Sequence, residues 1–107
     1  MQISNKVEAL IGFSIKAGKC IAGLNACEKY IEKKKPKLLV ISELMSEKSK
    51  NKIIKKAEKF GTKIKIDVSE NLFDKVFPQR DIKCFLITDS GFAEQITKCI
   101  DEITPKF

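Results

Sequence analysis

Histidine is absent from this 107-residue chain. That removes the usual general base at neutral pH and the commonest metal ligand. Four cysteines are present, Cys20, Cys27, Cys84 and Cys99, but they form no C-x-x-C pair and no zinc-ligand spacing. They read as reduced thiols, mostly buried as small hydrophobes. No apolar run approaches the ~20 residues of a membrane span. The opening MQISNKVEAL has no basic head followed by an apolar stretch. Neither a membrane anchor nor a secretion signal is expected, which points to the cytoplasm. Nucleophile–base pairs, metal clusters and cofactor motifs are missing as well, so catalysis, a metal centre and a bound cofactor are not expected. Repeats, low-complexity linkers and composition breaks are also missing, and residues 1–107 read as a single domain.

What is present is lysine. The net charge is +7, and it is uneven. Residues 16–65 carry 15 Lys and 5 Glu, a net +10, whereas residues 66–107 carry 5 Lys and Arg against 8 Asp and Glu, a net −3. Basic charge gathered in one half suits a polyanionic partner, with nucleic acid the leading candidate. Lysine spread over solvated faces would give the same composition. The apolar fraction of 43% and charged fraction of 33% suit a soluble globular protein. A chain of this length buries roughly two-thirds of its unfolded surface and can fold without metals or disulfides.

Apolar spacing predicts the elements. Ile3, Val7, Leu10, Ile11 and Ile15 form a helical stripe over residues 3–17, with Gly18 as its stop. KCIA reads as a brief strand. Leu24, Cys27 and Ile31 mark a helix from Gly23 to Lys34, ended by Pro36. KLLVIS, residues 37–42, is a continuous apolar run, as expected of a strand buried on both faces. Ser46 is placed to cap a helix running to Phe60, with Ser49, Ile53, Ala57 and Phe60 inward and Gly61 as terminator. KIKIDV alternates like a strand. Ser69 opens a short helix carrying Leu72, Phe73, Val76 and Phe77, stopped by Pro78. IKCFLIT, residues 82–88, is another buried strand. Asp89 and Ser90 open a last helix with Phe92, Ile96, Cys99, Ile100 and Ile103. Helices alternating with about four short strands predict an α/β fold, a small mixed sheet sandwiched between helices.

GKCIAGLN, residues 18–25, begins like a phosphate-binding loop, with glycines five apart. It continues Leu24-Asn25 where such a loop needs Lys and then Ser or Thr. Apolar Cys20, Ile21 and Ala22 suit a strand better. What remains is a helix start with free N–H groups and a positive dipole end, both attractive to phosphate. Gly23 lets another backbone come close. Asn25 and Lys29 are four apart and share a face, with Cys27 opposite. If Leu24, Cys27 and Ile31 face the core, then Asn25, Lys29 and Lys33 form an outward ridge. Asn can pair with a purine edge, and Lys with guanine or phosphate. The spacing equally allows Asn25 to cap the helix while the lysines only solvate it.

The stretch GLNACEKYIEKKKPKLLVISELMS, residues 23–46, resembles the kink-turn RNA-binding ribosomal proteins of the L-seven-Ae / L-thirty-e type. In that family a glycine, a variable residue, an Asn (or a Lys or Glu) and a Lys four positions later open the second helix. A basic linker, an apolar strand and an acidic-Ser segment follow. IGFSIKAGK (residues 11–19) and ITDSGFAEQI (residues 87–96) are similar to the bacterial YlxQ-like branch. The resemblance covers nearly the whole chain.

The resemblance implies a three-layer α/β/α sandwich around a mixed four-stranded sheet. It also implies a site for a kink-turn, a sharply bent RNA duplex with a bulge flanked by sheared G·A pairs. Gly23 would give close approach, and Leu24 belongs to the same helix start. Asn25 and Lys29 would read the guanines, and Lys33 would meet phosphate. Phe77, Pro78, Gln79 and Arg80 would cover an unstacked base, in keeping with RNA recognition by shape and splayed bases. Two departures stand out. Many kink-turn binders have Glu where this chain has Ala26, and a Leu-Gly-Lys segment where it has Leu72-Phe73-Asp74. The implied function is a non-enzymatic, monomeric RNA-binding protein, ribosome-associated, with structured RNA as partner. The alternative is a protein-interaction domain that keeps the fold without specific RNA readout, for which Ala26 and Phe73 argue.

Overall fold

A computed structural model describes residues 3–103, with side chains from residue 6 to residue 102. The side chains of Ile3 and Ile103, both expected on apolar stripes, lie outside the described residues. The elements follow in the order α1 (Ile3–Lys16), β1 (Cys20–Ala22), α2 (Leu24–Lys33), β2 (Leu38–Ser42), α3 (Glu47–Lys59), β3 (Lys63–Val68), α4 (Glu70–Val76), β4 (Cys84–Ile87) and α5 (Ser90–Ile103). The strands form one sheet in the order β1-β4-β2-β3. β4 pairs antiparallel with both β1 and β2, while β2 and β3 run parallel. The parallel pair requires a crossover, which α3 supplies.

The sheet is covered on both faces, and β2 and β4 are buried at every position. Alternation sends Leu39, Ile41, Cys84 and Leu86 to one side, where Cys27 and Ile31 of α2 and Ile53 and Ala57 of α3 pack on them. Leu38, Val40, Phe85 and Ile87 point to the other side, against Val7 and Ile11 of α1, Leu72 and Phe73 of α4, and Ile96 and Ile100 of α5. This is a three-layer α/β/α sandwich around a mixed four-stranded sheet. Phe85 is its aromatic centre, with Phe73 and Phe77 ring centroids 5.4 and 5.7 Å away.

The helix ends follow local chemistry. Ser46 and Ser69 cap α3 and α4, accepting from the N–H groups of Ser49 and Asn71. An Asp89 carboxylate oxygen accepts from the Phe92 N–H at 2.9 Å in the first turn of α5. Gly18 and Gly61 end α1 and α3 with φ of +73° and +71°, the left-handed conformation that glycine adopts freely.

Two expectations change. Ile15 is 40% exposed, while Ser14 beside it is fully buried. The inward stripe of α1 therefore runs Val7, Ile11, Ser14, and the Ser14 hydroxyl donates to the Ile11 carbonyl at 2.6 Å. Satisfied by its own helix, that hydroxyl can be buried at little cost. Strand β4 is also shorter than 82–88, because Ile82, Lys83 and Thr88 lie outside the ladder.

Candidate nucleic-acid interface

Helix α2 begins differently from α3 and α4. Those two start with a serine cap and a glutamate in the first turn, Glu47 and Glu70. The N-cap of α2 is Gly23, which offers no side-chain cap, and its first turn holds no acid. No residue of the helix's own cap or first turn therefore offsets the positive end of its dipole. Gly23 has φ +98° and ψ 147°, a region open essentially to glycine alone. A Cβ there would meet only the Ile82 side chain, at 3.9 Å. Within the protein, the backbone angle requires glycine and crowding does not.

Asn25 does not cap the helix. It is exposed, as are Lys29 and Lys33, while Cys27 and Ile31 on the far side are buried. The outward ridge is therefore present. Lys33 stands eight residues from Asn25, about 12 Å along the helix. The basic linker that follows lies at the opposite end of the sheet from Gly23. Gly23 N–H donates to the Cys84 carbonyl at the start of β4, whereas Lys37 N–H donates to Ile87 at its end.

The proposed covering loop splits. Pro78, Gln79 and Arg80 are exposed, with Gln79 at φ +64°. Phe77 is only 3% exposed and belongs to the core. It continues the inward stripe from Phe73 and packs on Phe85, so it cannot cover a base. Arg80 stays beside it, its guanidinium 5.8 Å from the Phe77 ring. It is the residues after the loop that reach the start of α2: Asp81 and Lys83 share a hollow of about 170 Å³ with Leu24, Met45, Ser46 and Ser49. Leu24 is half-buried and packs against the core on the α2–α3 side of the sheet. Phe73 is buried in the core and Ala26 is exposed on α2.

Sequence reasoning missed two features at this end. Leu44, in the turn after β2, is 61% exposed, its N–H fixed on the Ser42 hydroxyl at 3.0 Å. A leucine beside Met45 in the otherwise polar run SELMSEKS was the available signal. The second is a groove of about 430 Å³ between α2 and α3, with Asn25 and Lys29 on one wall and Lys52 and Lys56 on the other. Glu28 lies within it, 3.4 Å from both Lys52 and Lys56, and Glu32 pairs with Lys56.

A polar cluster fixes the same end of the sheet. The Ser42 hydroxyl donates to Glu70, and the Lys83 ammonium lies 2.7 Å from the other oxygen of that carboxylate. Burial works against ionisation of Glu70, but Lys83 and Ser42 outweigh it and hold the carboxyl below its usual range. A lowered folded pKa stabilises the fold above the unfolded value and ceases to do so as pH falls through the folded one. Glu70→Gln is expected to cost about 1 kcal/mol at pH 7. Denaturant titrations should show the gap from wild type narrowing as pH falls below the ordinary carboxylate range. A gap constant with pH would remove Glu70 from this role.

The thiols near the site are quiet. Burial pushes Cys20 up to about 12. Its contact with Cys84, followed by burial, raises Cys27 as well. Neither has the lowered pKa of a reactive cysteine. Among the described residues no group of Cys, Asp and Glu is arranged to hold a metal, and no helix is long and apolar enough to cross a membrane.

No model of a known protein family matches the chain. No curated protein matches it either. Among solved structures, the chain is similar to a protein with unknown function from Bacillus halodurans C, with a TM-score of 0.80 and 18% identity. The match covers 90% of this chain and 97% of that one. At that identity the likeness speaks for the fold alone.

Proposed function

We propose that this chain is a non-enzymatic RNA-binding protein that recognises kink-turn or similarly bent RNA at the start of α2. One observation carries the reading. An uncapped helix start with no acid in its first turn sits at Gly23, with Asn25 and Lys29 projecting to solvent. The resemblance of residues 23–46 to the L-seven-Ae / L-thirty-e type, and of residues 11–19 and 87–96 to its YlxQ-like branch, supports it, and so does the lysine-rich half of the chain. Free N–H groups and the dipole suit a phosphate, while Asn25 and Lys29 suit purine edges in a groove opened by the kink. Association with the ribosome is the natural setting for such a domain.

The test is a gel-shift titration at ~150 mM salt, near physiological ionic strength. One RNA carries a kink-turn, and its control has the sheared G·A pairs replaced by Watson–Crick pairs. Strong preference for the kinked RNA is expected. Equal binding to both would turn attention to the second reading, a protein-interaction domain on the same fold. That reading is favoured by the apolar hollow of about 320 Å³ beside α2, where Ile21, Ala26 and Tyr30 contribute to the lining.

A further inference from the structure

Helix α3 carries a stripe of lysines that the α2 site does not use. Lys48, Lys52, Lys55 and Lys59 are all exposed. At 3.6 residues per turn they fall within about 60° of arc and span roughly 16 Å along the axis. The stripe faces away from Ile53 and Ala57, which are buried against the sheet. The acids of α3, Glu47 and Glu58, lie well around the helix from it, on the side away from α2. Lys52 of the stripe reaches α2 and pairs with Glu28. The acids in the intervening groove, Glu28 and Glu32, are already neutralised by Lys52 and Lys56. Among the described residues, Lys48, Lys55 and Lys59 have no ion-pair partner.

The two helical layers of the sandwich differ in sign. Helices α2 and α3 carry 8 Lys and 4 Glu, whereas α1, α4 and α5 carry 4 Lys and 6 acidic residues. Like charges three and four residues apart repel along a helix. The stripe is therefore an unfavourable arrangement for the free protein, and a row of phosphates would relieve it.

We infer that the RNA footprint is two helices wide. The α3 stripe tracks the backbone phosphates of a duplex flanking the bent element, across the groove from Asn25 and Lys29. The inference rests on the reading of the α2 start as an RNA site and extends it to a second, sequence-independent contact.

The test compares the wild type with a K48Q/K55Q/K59Q triple variant, using fluorescence anisotropy over a salt series. Glutamine keeps the helix propensity of lysine and removes the charge. A control variant, K6Q/K16Q/K98Q, removes the same charge from α1 and α5. Each protein is titrated with kink-turn RNA bearing a flanking duplex of about one helical turn, and with the same RNA cut short on that side. Each duplex phosphate contact contributes ~0.9 to the slope of log K against log salt. The stripe variant should lose about 2–3 units of slope on the long RNA and become insensitive to the truncation. The control variant should keep the wild-type slope, and the melting temperature of the stripe variant should hold or rise. An unchanged slope in the stripe variant would overturn the inference, as would an equal loss in the control. Failure of the wild type to prefer the kinked RNA would instead overturn the α2 reading, with the stripe still judged by its slopes.

Discussion

Asn25→Ala combined with Lys29→Ala should abolish the preference for kinked RNA and leave the fold intact. A base-edge contact of this kind contributes about 1–3 kcal/mol of discrimination. Both residues would face one ligand, so their effects need not add. A combined loss of at least ~2 kcal/mol, roughly thirtyfold, is the expected minimum. Neither side chain makes a hydrogen bond or ion pair among the described residues, and both are exposed on a helix. Alanine is the best helix former, so the melting temperature should stay level or rise slightly. Anisotropy titrations on the kinked and Watson–Crick RNAs, with a thermal melt of each protein, read both quantities. Retained discrimination would place recognition elsewhere. Lost discrimination with a large fall in melting temperature would mean that the residues support the helix and do not read RNA.

Much of the architecture could be read from local patterns, and α3 shows why. Ser46, the 53/57 apolar pair and Gly61 each carry a separate physical signal, and all three agree in the structure. Strand β2 was equally plain, because five consecutive buried positions leave no room for polar alternation. Helix α1 was harder. Spacing selected Ile15, yet Ser14 completes the buried stripe because its hydroxyl bonds back to Ile11. A reading that counts serine as polar cannot see a hydroxyl satisfied by its own helix. The order β1-β4-β2-β3 was not legible either. It rests on pairings such as Cys20 with Ile87, far apart in the chain, which no local signal encodes.

The site was legible in part, for a related reason. The ridge of Asn25, Lys29 and Lys33 follows from helical period and the inward placement of Cys27 and Ile31. The reason for Gly23 was only half visible, since its backbone angle of +98° needs glycine where crowding does not. Neither the α2–α3 groove nor its Glu28–Lys52 and Glu28–Lys56 pairs could be anticipated, because they depend on two helices meeting on one face of the sheet. The lysine spacing on α3 was in plain view, but without the sheet nothing said that this stripe and the α2 ridge share a face.

Phe77 and Arg80 are neighbours in one loop and should behave as opposites. Phe77→Ala removes a ring that is 3% exposed and packs against Phe85 at 5.7 Å between centroids. Truncating a buried Phe costs about 3–5 kcal/mol, a large share of the ~5–15 kcal/mol that holds a domain of this size together. Arg80→Ala touches an exposed side chain whose guanidinium only lies over that ring, at 5.8 Å. Its cost to stability should stay within about 0.5–1 kcal/mol, the range of an exposed cation–π contact. Its effect should appear in RNA affinity, as a severalfold loss with a shallower salt slope. Denaturant unfolding and RNA titration of both variants at low temperature separate the two roles. A stable Phe77→Ala protein that has lost RNA binding would return the ring to the interface and contradict its place in the core. Unchanged binding by Arg80→Ala would confine the contact to α2 and remove the 78–80 loop from the site.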